Sequence, residues 1–301
     1  MQSTYERPEL WVQQNHWRTA GLRYFSYKFF LQNQFRTRVQ RVSVDGGFTC
    51  PNVDGTVGVA GCVFCNIESY TPPRLPGDAG VAEQIDEGIR RRRRGRDADR
   101  FIAYFQPATN TYAPVERLRE LWTEATEHAA VVGLIVGTRP DCVPDAVLDL
   151  LAEFSERTWV SVEYGLQTIH DASLEWLGRG HDYGAFLDAV RRSRQRGLRI
   201  GAHVIVGLPC ETREAMAATA RELARLEIDS VKLHNLYVAR DTALADMPAA
   251  GEVELPERDE YAGYVVDFLE RLPPDCVIDR LSADPVAEHL VAPRWCLEKS
   301  A

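Results

Sequence analysis

The sequence predicts an α/β fold: a partial (β/α)6 TIM-like barrel with an N-terminal helical extension and a C-terminal appendix. Two observations carry the prediction. Mostly continuous apolar, β-branched runs alternate with longer segments of helical period, the pattern of a parallel sheet covered on its faces. No G-x-G-x-x-G follows the first strand, which favours a barrel over an open dinucleotide-binding sheet. A chain of 301 residues has room for such a barrel, which takes roughly 250.

In order, the expected strands are Val39–Val44, Phe101–Phe105, Val131–Val136, Thr158–Tyr164, Arg199–Val206 and Ser230–Tyr237. Helices are expected near Ala79–Arg92, Val115–His128, Asp145–Glu156, Tyr183–Arg196 and Arg213–Leu226, with Glu257–Arg271 after the sixth strand. This divides the chain into an extension (1–37), a core (38–272) and an appendix packing on the core (273–301). In a barrel, chemistry gathers where the strands end.

Composition narrows the class. The chain is 45% hydrophobic and 26% charged, and its longest apolar run, Ala129–Gly137, has nine residues, where a membrane span needs about 20. The start, MQSTYERPEL, lacks the basic-then-apolar layout of a signal peptide. Seven cysteines, an odd number, argue against a complete disulfide set. A soluble cytoplasmic protein is expected, and collagenous, disordered, secreted-knot and membrane classes are excluded.

The net charge of −9 is unevenly spread: residues 1–44 carry +5 and the remainder −14. Between Leu10 and Val44 no acid interrupts Arg18, Arg23, Lys28, Arg36, Arg38 and Arg41, and eight aromatics interleave with them. Such a segment either grips nucleic acid, arginines on phosphate and rings on bases, or packs its rings onto the core beneath solvated arginines. A second basic run, Arg90–Arg94 with Arg96, reads as a solvated helix end.

Immediately after the first strand comes GGFTCPNVDGTVGVAGCVFCN, which sets Cys50, Cys62 and Cys65 at C-x11-C-x2-C spacing in a glycine-rich loop. Three thiols on a flexible loop read as a metal site, and the spacing leaves iron–sulfur cluster, zinc or no metal open. No fourth ligand is near, so a metal bound there keeps an open vertex.

The loop resembles that of the radical S-adenosylmethionine (SAM) enzymes, specifically a bacterial family with this long spacing related to the catalytic subunit of Elongator. The matching stretches are SVDGGFTCPNVDGTVGVAGCVFCN, YFQPATNTYAP, GTRPDCVPD, VEYGLQTIHDASLEWLGRGHD, AHVIVGLPCETRE and VKLHNLYVARDTAL, in order over residues 22–296. The resemblance implies a [4Fe–4S] cluster on Cys50, Cys62 and Cys65, SAM on the open iron, and an electron donor such as flavodoxin or ferredoxin. It also implies SAM-amine contacts from Tyr104, Gln106, Asn110, Thr111 and Tyr112, and ribose contacts from Glu163 and Gln167. Departures are Cys210 and Asp241, where the family usually or often has glycine. The Elongator subunit's acetyltransferase domain is not expected in these 301 residues, so its chemistry is not carried over.

Further candidates lie at strand ends. Arg139 either binds an anion or pairs with Asp141; Arg179 and His181 either reach the SAM carboxylate or substrate, or cap a helix. His203, Lys232 and His234 fall on barrel strands, with Lys232 and His234 sharing a face. His234 is the first choice for substrate contact or proton transfer, with Lys232 beside it. His203 joins the cofactor-binding set, and Gly207 forms the adenine-facing turn. Cys142, Cys210, Cys276 and Cys296 supply no second CxxC; of these, Cys296 is the candidate for a role near substrate.

The expected function is reductive SAM cleavage and hydrogen abstraction, with a tRNA wobble uridine as substrate. The alternatives are a radical SAM oxidase or lyase for a small molecule, and a zinc-bearing RNA-binding scaffold.

Overall fold

The structure, a computed structural model, describes residues 17–69, 79–93, 98–247 and 253–298. Its strands are β1 (Val39–Val44), β2 (Arg100–Phe105), β3 (Val131–Thr138), β4 (Trp159–Gln167), β5 (Arg199–Val206), β6 (Ser230–Asn235), β7 (Val238–Ala239), β8 (Val277–Arg280) and β9 (Leu290–Ala292). The helices are α1 (Tyr27–Phe35), α2 (Val81–Arg93), α3 (Val115–Glu127), α4 (Asp145–Ser155), α5 (Asp171–Trp176), α6 (Tyr183–Gln195), α7 (Arg213–Arg225) and α8 (Arg258–Leu269). Seven parallel strands form one sheet in the order β1-β2-β3-β4-β5-β6-β8, and β7 pairs antiparallel with β9.

Period-two alternation gives the sheet two different faces. Val42, Phe105, Val136, Val162, Val204 and Leu233 point outward into the core shared with the helices. The opposite positions line the lumen. At its N-terminal end these are Val39, Ile102, Ile135, Trp159 and Val277, packed against Tyr27 and Leu31 of α1. Further along they turn polar: Arg41, Glu163, His203, Lys232 and Asp279 meet there.

Ser26 caps α1 by accepting from the Phe29 amide, and the helix ends at Arg36, whose backbone is left-handed with φ 57°. Phe30 and Phe35 each lie about 6 Å, ring centre to ring centre, from Trp159, the first residue of β4. The Arg199 guanidinium lies over the Phe30 ring at 4.4 Å. Phe25, Tyr27, Phe30 and Phe35 therefore close the N-terminal pole of the barrel, as the packing alternative requires of them. Arg36 and Arg38 sit exposed at that same pole. Residues 1–16 of the basic extension, like Arg94 and Arg96 of the second basic run, lie outside the described residues; Arg90 and Arg91 of that run pair with Glu87.

Six of the sheet strands fall where the sequence puts them; the seventh, β8, lies within residues 273–301, read from sequence as an appendix. It is four residues long with only Val277 and Ile278 apolar, too short and too mixed to announce itself. Among the described residues β8 and β1 share no ladder. The seam between them is spanned by the N-terminal segment, where the Ile278 amide donates to Phe25 O at 2.8 Å. Arg41 on β1 also reaches across to Asp279 on β8 at 2.8 Å.

Candidate active site

The three cysteines sit in the loop that leaves the C-terminal end of β1. Cys62 is buried, and Cys50 and Cys65 are half-buried free thiols. Backbone turns fold the loop on itself: the Val53 and Asp54 amides donate to Cys50 O, Gly61 N to Asn52 O, and Cys65 N to Cys62 O at 3.0 Å. Asn52 ties this loop to the turn after α5. Its Nδ2 donates to Gly178 O at 2.8 Å, to Arg179 O at 2.9 Å and to Cys62 Sγ at 3.3 Å. Gly178 has φ 64° and would place a Cβ 3.8 Å from Cys62 Cα; Gly180, at φ 67°, would drive one to 2.6 Å from Asn52 Oδ1. The left-handed backbone favours glycine at both positions, and at Gly180 the close approach requires it as well.

Arg179 completes the arrangement. Nη1 donates to Cys62 Sγ at 3.3 Å, Nη2 to Gly165 O at 2.8 Å, and Nε to His181 Nε2 at 3.3 Å. A thiol sulfur is a weak acceptor and a thiolate a good one, so two N–H donors on Cys62 Sγ suit a ligated thiolate. Among the described residues no three His, Cys, Asp or Glu side chains converge on one ion-sized position. A cubane cluster meets its thiolates through separate irons and needs no such convergence. The donor set fits an iron–sulfur cluster. Three buried polar atoms at this mouth lack a hydrogen-bond partner among the described residues: Asn52 Oδ1, Asn110 Oδ1 and Arg139 Nη1. Two acceptors and one cationic donor suit a polar, zwitterionic ligand.

Deeper in the lumen lies a second assembly. Tyr104 Oη donates to Glu163 Oε2 at 2.7 Å and accepts from Lys232 Nζ at 2.5 Å; His203 Nε2 also meets Glu163 Oε2 at 2.7 Å. Burial pushes the Glu163 carboxyl up, but Lys232, the His203 hydrogen bond and Arg41 together hold it well below the ordinary range. Burial brings Lys232 down to about 7 against the pull of Glu163. It pushes Asp279 up to about 6 despite Arg41. Burial and Lys232 bring His203 down to about 4. His234 is paired with Arg280 and lies well below its ordinary value through burial and that guanidinium.

The residues expected from sequence fall into two groups. Cys50, Cys62, Cys65, Arg179 and His181 belong to the mouth; Tyr104, Glu163, His203, Lys232 and His234 belong to the lumen. Gln106 donates to Ser43 Oγ at 2.7 Å, and Gln167 ends β4 with φ 73°, beside a register shift against β5. Gly207, with φ 83°, faces Pro256 and Tyr261. Of the two readings for Arg139, pairing with Asp141 at 2.7 Å is present, with Nη1 left over. Thr111 bonds Thr138 and Cys142 O, and Tyr112 bonds Thr56 of the cysteine loop. Cys296 Sγ accepts from Asn235 Nδ2 at the end of β6, while Cys210 is exposed.

Sequence reasoning missed Asn52, Arg41, Asp279 and Arg280. Arg41 had a signal: in VQRVSV it shares a face with Val39 and Ser43, opposite Val42 and Val44. Asp279 and Arg280 had none, because their strand went unrecognised.

Comparison with known proteins identifies the family and the fold. Residues 57–223 match the radical SAM superfamily and residues 228–301 the radical SAM C-terminal domain. The protein YtqA of Bacillus subtilis is 38% identical over 92% of this chain and 86% of its own length. A tRNA uridine(34) acetyltransferase of Methanocaldococcus jannaschii is 27% identical over 56% of this chain, which spans 31% of that protein. The solved structure of Elp3 from Methanocaldococcus infernus superposes with a TM-score of 0.62 at 19% identity, covering 84% of this chain and 58% of that one. The chain belongs to the radical SAM superfamily and is an enzyme of that family, whose members use a [4Fe–4S] cluster and SAM.

Proposed function

We propose that this enzyme holds its cluster on Cys50, Cys62 and Cys65, cleaves SAM reductively, and removes a hydrogen atom from a wobble uridine of tRNA. The observation that carries the site is the pair of donors, Asn52 and Arg179, on the Cys62 sulfur at the open end of β1. When bound, the cluster and SAM supply a one-electron cleavage into methionine and a 5′-deoxyadenosyl radical. The protein binds, orients and excludes water. Arg139 Nη1 offers a charged donor to a carboxylate, and Asn110 Oδ1 an acceptor to an amine. Gln106, Gln167 and Gly207 shape the mouth for the rest of SAM. Glu163 Oε1, which has Arg41 Nη1 at 4.0 Å, is offered to a ribose hydroxyl; Tyr104 and His203 fix that carboxylate through Oε2. Lys232, with a pKa near 7, holds or releases a proton at Nζ toward substrate, and His234 meets substrate as a neutral ring.

The uridine reading rests on the likeness to tRNA uridine(34) acetyltransferases over just over half of the chain. A small-molecule substrate is the second reading. One observation favours it: four of the rings that would stack on bases, Phe25, Tyr27, Phe30 and Phe35, are packed at the N-terminal pole, opposite the cysteines. The proposed setting is the cytoplasm, with a flavodoxin or ferredoxin supplying the electron.

Anaerobic reconstitution tests the chemistry: iron, sulfide and reductant-dependent 5′-deoxyadenosine are expected, and stoichiometric zinc without cleavage would sink the reading. Comparing tRNA nucleosides from a deletion strain and its parent tests the substrate. A changed wobble uridine is expected; identical tRNA with an accumulating metabolite favours the small molecule.

A further inference from the structure

Arg179 is 7% exposed. Among the described residues no Asp or Glu pairs with it; its nitrogens go to a sulfur, a carbonyl and a neutral imidazole, since burial and Arg179 itself bring His181 down to about 4. A buried cation without a counter-charge is costly, and native proteins place an anion beside it. The acceptor in contact that can carry negative charge is Cys62 Sγ, at 3.3 Å from Nη1. Asn52 reaches the same sulfur from another side and also holds the Arg179 carbonyl, so the guanidinium is aimed from its own backbone.

We infer that Arg179 is a positioning residue that raises the reduction potential of the cluster by placing its charge and an N–H on the Cys62 sulfur. This rests on the cluster reading above. The reduced state differs from the oxidised one by a single electron from the external donor, and so carries one more negative charge. Hydrogen bonds to ligand sulfur and nearby positive charge favour that state. The same guanidinium also grips Gly165 O on β4, two residues before Gln167, so the sulfur and the proposed SAM strand share one rigid link.

The test is a redox titration of the reconstituted protein followed by electron paramagnetic resonance, with iron and sulfide measured beside it. Arg179→Met is expected to keep the cluster and lower its midpoint. The reduced-to-oxidised ratio at fixed poise should fall on the order of tenfold, which is ~59 mV for a one-electron couple. Arg179→Lys, which keeps charge but loses the fork, should fall between. A loaded Arg179→Met cluster with the wild-type midpoint overturns the inference. Pulsed resonance on reduced wild-type protein carrying 15N-arginine provides a measurement independent of variant folding: a coupled arginine nitrogen is expected, and its absence overturns the inference. Wild-type protein that binds no iron and sulfide overturns the cluster reading as well, and so is distinguished from a cluster that forms but ignores Arg179.

Discussion

At the N-terminal pole of the barrel arginine packs on rings, Arg199 over Phe30 at 4.4 Å and Arg41 over Tyr27 at 4.5 Å, while Arg41 also bonds Asp279. At the C-terminal pole Arg179 and Arg139 have no ring beneath them among the described residues and point their N–H groups at a sulfur and a carboxylate. The first pole is specified by shape, with α1 and Trp159 filling space. The second is specified by direction, with one asparagine and left-handed glycines setting a thin loop against a turn. The difference teaches that apolar packing and the candidate cluster site lie at opposite ends of one sheet, joined by the polar layer around Glu163.

Substitutions can break that division. Cys62→Ala should abolish 5′-deoxyadenosine formation, measured after anaerobic reconstitution, while the melting temperature of the metal-free chain moves little. A large loss of folding there would mean that the mouth also carries the fold. Trp159→Ala should do the reverse. Its ring is buried among Phe30 and Phe35, so about 3–5 kcal/mol of unfolding free energy should vanish in urea titrations, with iron binding retained in the folded fraction.

Glu163→Gln probes the layer between. It strips the charge that balances Lys232 and Arg41, and roughly 3 kcal/mol of stability should go, together with a drop in SAM affinity measured by calorimetry. A change in affinity with no change in stability would place Glu163 wholly in the mouth.

Acid sharpens the comparison. His203 is held down to about 4 and His234 is also lowered, against an ordinary 6.5. Between those values the unfolded chain binds more protons, so the stability is full above about pH 6.5 and is lost as pH falls toward 4. Asp279, raised from 3.8 to about 6, opposes this by gaining as pH falls, but one carboxyl faces three imidazoles, since His181 is also lowered to about 4. The urea midpoint should therefore fall between pH 7 and pH 5, and His203→Gln should flatten the slope. The smallest effect is expected from Arg36→Ala with Arg38→Ala: within about 0.5 kcal/mol in stability and no loss of tRNA affinity, checked by filter binding across salt concentrations. Weakened binding would extend the RNA surface to the pole opposite the cysteines.

Most of the sheet was legible because the central strands are mostly apolar runs bounded by turn signals, β-branched in VVGLIVGT of β3 and aromatic in RFIAYF of β2. The cysteine loop was legible because thiol spacing is a chemical pattern in itself. What was hidden depends on partners distant in sequence. Asn52 reads as a loop residue until the turn at Gly178 comes under it, 126 residues later. Asp279 has meaning only beside Arg41, and α5, six residues long, is too short to show a period. Arg179 was visible as a candidate, but its acceptor was not, because no sequence pattern links GRGHD to Cys62.

In a closed barrel the strand number and hydrogen-bond stagger fix the diameter. Here the first and last strands meet through Arg41 and Asp279 and through the segment at Phe25, not through a ladder. The aperture above them is therefore set by side chains, and its width is an adjustable dimension. Exchanging residues along this one seam would change that width while leaving the cysteine loop and every strand pairing as they are.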